Sequence, residues 1–124
     1  MAKWLYLITG GVLGTLARHI VSTLVYQRAA HDFPYGTLAV NMAGCFLVGF
    51  FDVIIEKKFS MGPQMRILLM AGFCGAFTTF STFMLETGNL LKEGEMFRAL
   101  ANVLVSVLLG FIVFRFGIWL AKFI

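Results

Sequence analysis

Residues 75–83, GAFTTFSTF, lie within the apolar run 67–91 and hold four hydroxyl side chains and three phenylalanines, with no charged residue. A helix that crosses a bilayer needs about 20 mostly apolar residues, so this run can form one. Gly75 and the β-branched pair Thr78 and Thr79 weaken a helix at this point. A break inside the membrane frees backbone groups, which persist only where protein, water or ions satisfy them. The stretch therefore predicts a broken membrane helix.

The composition predicts that the whole chain lies in a membrane. Of its 124 residues, 60% are hydrophobic and 13% are charged, whereas soluble domains carry roughly 25% charged residues. Three further apolar runs of bilayer length lie at 4–26, 36–55 and 97–121, joined by short polar segments. We therefore predict an all-α integral membrane protein, with residues 1–124 forming one domain of four transmembrane helices and a broken third helix.

The first apolar run follows a lysine and so resembles a signal peptide. No convincing small-residue cleavage site follows it, so we expect it to remain as the first span. Two patterns of small residues predict close packing between helices. One is Gly10 with Gly14 in the first span, and the other is Asn41, Cys45 and Gly49 in the second. A protein of this size can hardly enclose a pore alone, so we expect function to need at least a dimer.

The net charge of +4 does not indicate a nucleic-acid partner. Most basic residues fall at the ends of apolar runs, where lipid headgroups and the positive-inside rule place them. Four spans put both termini on one side, and that side carries five of these residues against three on the other. The five are Lys3, Lys57, Lys58, Arg66 and Lys122, and the three are Arg28, Lys92 and Arg98. This weak asymmetry leaves two possibilities open, a modest preference for one orientation or insertion in both.

Polar residues of the third span predict a stripe on one side of its helix. At about 100° per residue, Thr79, Thr82 and Glu86 fall within an arc of about 60°, and Phe80 and Phe83 lie beside it. Hydroxyls can replace the water shell of an ion, and the edges of aromatic rings carry partial positive charge. The stripe therefore suits a small dehydrated anion, although core or lipid packing of the rings remains the alternative.

Other polar groups within the spans leave more than one interpretation open. Asn41 can form an interhelical hydrogen bond or act as a donor that faces a pathway. Arg18 can extend towards the headgroups or pair with a carboxylate, and Glu86 can be an ordinary residue of a solvated helix end. Neither the two cysteines nor the two histidines have the spacing of a metal site, and no nucleophile–base pair indicates an enzyme.

Three stretches of the chain resemble the Fluc (CrcB) fluoride channels. They are GGVLGTLAR at 10–18, GTLAVN at 36–41 and GFCGAFTTFSTFMLE at 72–86. The resemblance covers essentially the whole chain, including its length and its four spans. It implies a multi-pass protein of the cell (inner) membrane that exports fluoride passively and lowers its toxicity in the cytoplasm. It also implies an antiparallel, dual-topology homodimer that is surrounded by membrane lipid. The dimer would contain two pores, and residues of both subunits would line each pore.

The resemblance also implies roles for individual residues. Phe80 and Phe83 correspond to the pore phenylalanines, and Asn41 to a pore-facing asparagine. The residues that correspond to the polar track of the anion are Ser81, Thr82, Glu86 and, on the fourth span, Ser106. The carbonyls of Gly75 and Thr78 correspond to the ligands of a structural sodium ion at the dimer interface, which is not transported. The chain departs from the family pattern at Ala76 and Met84, where glycine and serine are common.

Two other functions compete with a channel. Small four-span exporters that couple drug transport to protons rely on an acidic residue deep in the first span, and residues 4–26 contain none. A non-transporting assembly subunit would not need the stripe of threonines and phenylalanines. We therefore expect a fluoride channel, with the proton-coupled exporter as the alternative.

Overall fold

A computed structural model describes residues 1–57 and 62–124. Lys58, one of the five basic residues predicted on the same side of the membrane as the termini, lies outside the described residues. The described chain forms four helical segments long and apolar enough to span a membrane, Ala2–Tyr26, Tyr35–Lys57, Pro63–Lys92 and Met96–Ala121. The first two are helices α1 and α2, and the fourth is α5. The predicted all-α membrane fold with four spans is confirmed.

The third segment is broken, as predicted, into two helical halves. The first half, α3, starts at Pro63, a residue that is favourable in the first turn of a helix. It consists of Pro63–Arg66, the π-helical stretch Ile67–Cys74 and the single turn Gly75–Phe77. The second half, α4, spans Phe80–Lys92. Two residues in extended conformation separate them, Thr78 with ψ 158° and Thr79 with φ −148°.

The break lies later in the chain than expected. The sequence predicts it between Gly75 and Thr78, but Gly75 keeps helical angles of φ −63° and ψ −36°. The extended residues are instead the two β-branched threonines, which fit extended backbone better than helix. Glycine therefore does not supply the break, and threonine does.

Helix α1 packs closely on α3 through the predicted pair of glycines. A Cβ atom added to Gly10 would collide with the Leu68 carbonyl, and one added to Gly14 would collide with the Phe73 carbonyl. Gly72 faces them from α3, with its Cα 3.0 Å from the place where a Cβ of Gly10 would lie. Backbones that approach this closely in a bilayer gain van der Waals contact that larger side chains would prevent.

Helix α2 also packs closely on α5 through glycines. A Cβ atom on Gly49 would collide with the Phe114 carbonyl, and one on Gly117 would collide with the Phe46 carbonyl. At the end of this pair, the Lys57 ammonium donates to the Ala121 carbonyl at 3.2 Å and to the Lys122 carbonyl at 2.7 Å. These contacts fix α2, which carries Asn41, against α5.

Candidate anion pathway

Asn41 on α2 holds the extended backbone of the break. Its Nδ2 donates to the Thr79 carbonyl at 3.1 Å, and its Oδ1 accepts from the Thr79 amide at 2.9 Å. The side-chain amide thus satisfies both backbone groups of one residue, as a neighbouring strand would. Backbone groups freed within a membrane must find partners inside the protein. Of the two interpretations of Asn41, the structure shows the interhelical hydrogen bond, and the same side chain also lines a cleft described below.

Thr79 in turn caps the second half of the broken segment. Its hydroxyl oxygen accepts from the Thr82 amide at 3.3 Å, which satisfies one of the free amides in the first turn of α4. The Thr79 hydroxyl also donates to the Thr82 hydroxyl at 2.9 Å, and the Ser81 hydroxyl lies 3.5 Å away. Three of the predicted hydroxyls therefore gather at the start of α4.

A cleft of about 560 Å³ lies on one side of the break and is named here the phenylalanine cleft. It brings together four of the residues predicted for the anion pathway, Asn41, Phe80, Phe83 and Ser106, with the predicted sodium ligand Thr78. The rings of Phe80 and Phe83 lie 5.7 Å apart and are tilted by 42°. Phe83 is 7% exposed and Phe80 is 74% exposed. The Phe83 ring is therefore buried within the chain, whereas the Phe80 ring is exposed on its surface.

A second cleft of about 260 Å³, named here the threonine cleft, lies on the other side of the break. It contains two more of the predicted site residues, Thr82 and Glu86. Thr79 lines both clefts. Arg18 also lines the threonine cleft, and its Nη1 lies 3.5 Å from the Thr78 carbonyl, at the outer limit of a hydrogen bond.

The single polar stripe bordered by two rings is therefore divided between two clefts. Thr79, Thr82 and Glu86 do share the threonine cleft, whereas Phe80 and Phe83 line the other one. The prediction treated residues 79–86 as one continuous helix, but Thr79 has extended angles and only caps α4. Ser81 is exposed and lines neither cleft.

The comparisons with known proteins agree with the resemblance. Residues 5–118 match the family model described as CrcB-like protein, Camphor Resistance (CrcB). The chain belongs to the CrcB family. A relative in Maridesulfovibrio salexigens, named fluoride-specific ion channel FluC, is 40% identical over 124 residues, covering 100% of this chain and 98% of its own. Relatives of the same name in Hydrogenovibrio crunogenus and Chlorobium phaeobacteroides are 47% and 45% identical over 113 residues, covering 91% of this chain and 86% and 88% of their own.

Two backbone carbonyls of this CrcB chain are the predicted sodium ligands. In an unbroken helix the Gly75 carbonyl would accept from the Thr79 amide, which instead donates to Asn41. Gly75 is exposed, and a Cβ atom there would have only the Met70 carbonyl within 4 Å, at 3.7 Å. The Gly75 carbonyl thus loses its usual helical donor and belongs to an exposed residue, whereas the Thr78 carbonyl lies beside the Arg18 guanidinium. Among residues 1–57 and 62–124, no His, Cys, Asp and Glu cluster suits another metal.

Two parts of the site were missed by sequence reasoning. The Asn102 side chain, 1% exposed, donates to the Thr87 hydroxyl at 2.9 Å, which donates to the Phe83 carbonyl at 2.7 Å. This chain of bonds links α5 to the turn of α4 that carries Phe83. The second part, Tyr26 with Thr37, lines the threonine cleft. A tyrosine at the end of an apolar run has the appearance of an ordinary interfacial anchor, so the sequence alone gave no signal for it.

Proposed function

We propose that the chain forms a fluoride-selective channel, which lets fluoride leave the cell passively and so lowers fluoride toxicity in the cytoplasm. The observation that carries the proposal is the phenylalanine cleft, which joins the amide of Asn41, the hydroxyl of Ser106 and the rings of Phe80 and Phe83. The names of the relatives support fluoride as the anion.

The chemistry of the cleft favours a small anion. Amides and hydroxyls donate hydrogen bonds, and ring edges present partial positive charge. The Ser106 hydroxyl oxygen is buried and has no hydrogen-bond partner within the part of the chain that the structure describes. A buried hydroxyl without a partner is costly, so a passing anion that accepts from it would gain a bond at no loss to the protein. We assign a donor role also to Thr82, which lines the threonine cleft, and to Ser81, whose hydroxyl lies 3.5 Å from that of Thr79.

The alternative, a proton-coupled drug exporter, has less support. Helix α1 contains no acidic residue that could carry the proton. Glu86 on α4 is the remaining candidate, and its carboxylate accepts a short hydrogen bond of 2.7 Å from Tyr26. None of the described residues that line the phenylalanine cleft is charged, so these residues offer no site for coupling a proton to an organic cation.

Fluoride efflux from loaded proteoliposomes tests the proposal. Valinomycin collapses the membrane potential, and a fluoride electrode records the rate. We expect rapid efflux that requires no proton gradient, and chloride efflux at least tenfold slower from matched liposomes. Protein-free liposomes are the control. Efflux that depends on a proton gradient, or equal rates for chloride and fluoride, would contradict a fluoride channel.

We also propose that the working unit is an antiparallel homodimer in the inner membrane. Phe80 is 74% exposed, and the freed Gly75 carbonyl lies on an exposed surface. Freed backbone does not face lipid in membrane proteins, so a second copy of the chain is the cover we expect. The weak asymmetry of the positive charges, five against three, supports insertion in both orientations.

Insertion in both orientations predicts that the C-terminus is found on both sides of the membrane. Fusions of a periplasm-active and a cytoplasm-active reporter to Ile124 should both give signal, each well above the background of a protein of fixed topology. A chain inserted in one orientation only, and unaffected by the deletion of Lys3, would contradict the dual topology.

A structural sodium ion completes the proposed dimer. The Gly75 and Thr78 carbonyls of both copies would hold it. The Thr78 carbonyl would then bind the ion instead of its long contact with Arg18. An ion that binds only the dimer stabilises it by about 2.7 kcal/mol when its concentration is about 100 times the dissociation constant. Replacing sodium by N-methylglucamine should therefore promote dissociation and lower fluoride efflux together. Dimers that stay equally stable and active at matched ionic strength after thorough sodium removal would refute this site.

A further inference from the structure

Tyr26, the last residue of α1, binds the one carboxylate of α4 that lies within the span. Its hydroxyl donates to Glu86 Oε1 at 2.7 Å and lies 3.4 Å from the Thr37 hydroxyl of α2. The bond is as short as charge-assisted O–H···O⁻ bonds are. The ring lies against Gly36, where an added Cβ atom would collide with it. Three elements, α1, α2 and α4, therefore determine where the Glu86 carboxylate lies.

Tyr26 and Glu86 together separate two clefts. Both line the threonine cleft beside the helix break. Both also line a third cleft of about 300 Å³, named here the loop cleft, beneath the two connections opposite the termini. The loop cleft contains Asp32 from the first of these connections, Glu93 from the second and Arg98 at the start of α5. An ion that moves between the break and this side of the bundle by way of these clefts has to pass the Tyr26–Glu86 pair.

A carboxylate at this point is a problem for an anion pathway. Two like charges a few ångströms apart repel each other even at the effective dielectric constant of a protein surface. The second carboxylate oxygen, Oε2, is buried and has no hydrogen-bond partner within the residues that the structure describes. The Tyr26 hydroxyl therefore provides the bond that both fixes the carboxylate and disperses part of its charge. Without that bond, Glu86 could turn into the passage with its full charge.

We propose that Tyr26 is a positioning residue for fluoride passage, which holds Glu86 at the boundary of the threonine and loop clefts and weakens its repulsion of the anion. The proposal rests on the proposed fluoride channel. It does not require that Tyr26 touches fluoride, because its effect acts through Glu86.

The substitution Tyr26→Phe removes one oxygen atom and keeps the ring against Gly36. We expect fluoride efflux from proteoliposomes to fall at least tenfold, with the protein eluting at the wild-type volume. Tyr6→Phe, on the same helix and outside all three clefts, is the matched control and should keep the wild-type rate. In a Glu86→Gln background, Tyr26→Phe should change the rate by less than twofold, since the charge that Tyr26 disperses is gone.

Infrared spectroscopy detects the hydrogen bond between Tyr26 and Glu86 directly, independently of fluoride efflux. The carboxylate stretch of Glu86, isolated as the difference between wild type and Glu86→Gln, should shift in Tyr26→Phe and stay in place in Tyr6→Phe. If Glu86→Gln carries no measurable efflux, this shift together with the tenfold loss in Tyr26→Phe supports the proposal, and an unmoved band overturns it.

The possible failures are distinguishable. Wild-type efflux in Tyr26→Phe, or an equal loss in both Glu86 backgrounds, would overturn the positioning role while leaving the channel intact. No fluoride efflux from the wild-type protein itself would overturn the channel and, with it, any role of Tyr26 in fluoride passage.

Discussion

Replacing Asn41 by leucine should abolish fluoride efflux and destabilise the protein by about 2–6 kcal/mol, because leaving a buried polar group unsatisfied costs about 1–3 kcal/mol and two such groups lose their partner. The two are the Thr79 amide and carbonyl, both bonded to the Asn41 side chain. Leucine has a similar size, so it changes the hydrogen bonds much more than the packing. The Thr79 backbone would then lie within the membrane segment without a partner.

Unfolding in increasing concentrations of a denaturing detergent, followed by circular dichroism, measures the loss of stability, and proteoliposome efflux measures function. Gln64→Leu makes the same chemical change at an exposed residue near the start of α3 and should leave both quantities near wild type. An Asn41→Leu protein of wild-type stability would show that the break is held by other contacts.

The arrangement of spans could be predicted because it follows from hydropathy alone. The apolar run predicted at 36–55 corresponds to the helix Tyr35–Lys57, and that predicted at 97–121 to Met96–Ala121. The glycine patterns likewise indicated real packing, since Gly10 and Gly14 lie directly against α3. These features depend on residues close together in the sequence, and for that reason they can be read from it.

The exact residues of the break could not be predicted, because local propensity weakens the helix anywhere from Gly75 to Thr79. The bonds from Asn41, 38 residues away from Thr79, hold Thr79 in extended conformation. The same limit applies to Tyr26 and Glu86, which are 60 residues apart. The π-helical turns of Ile67–Cys74 were not predicted either, since a uniformly apolar run carries no signal for the width of a helix.

The family resemblance supplied the site residues that local patterns could not. The nearest polar residue in its run is Asn102, four positions earlier, and Ser106 lines the same cleft as Asn41, Phe80 and Phe83. Helical periodicity, in contrast, grouped Thr79 with Thr82 and Glu86 correctly and placed the two rings beside them, but it did not show that the rings line a separate cleft. A helical wheel shows which residues share a face of one helix, and not which neighbouring helices cover that face.

Replacing Phe83 by isoleucine should lower fluoride efflux at least tenfold while the proposed dimer remains intact. Phe83 is 7% exposed and lines the phenylalanine cleft, 5.7 Å from the ring of Phe80. Isoleucine keeps an apolar side chain there, so we expect a stability loss of about 1 kcal/mol, within the range for apolar exchanges in cores. It has no ring, and therefore no edge of partial positive charge to meet an anion.

Two further variants separate a role in the pathway from a role in packing. Phe97→Ile removes a ring that is 82% exposed at the start of α5, and it should leave efflux near wild type. Phe80→Ile removes a ring that is 74% exposed in the single chain, so it should cost little stability within one subunit and still reduce efflux strongly. A Phe83→Ile protein that elutes as a dimer and conducts fluoride at the wild-type rate would instead show that the rings only fill space. The contrast between Phe80 and Phe97 is the sharper test, because both rings are exposed and only one lines the cleft.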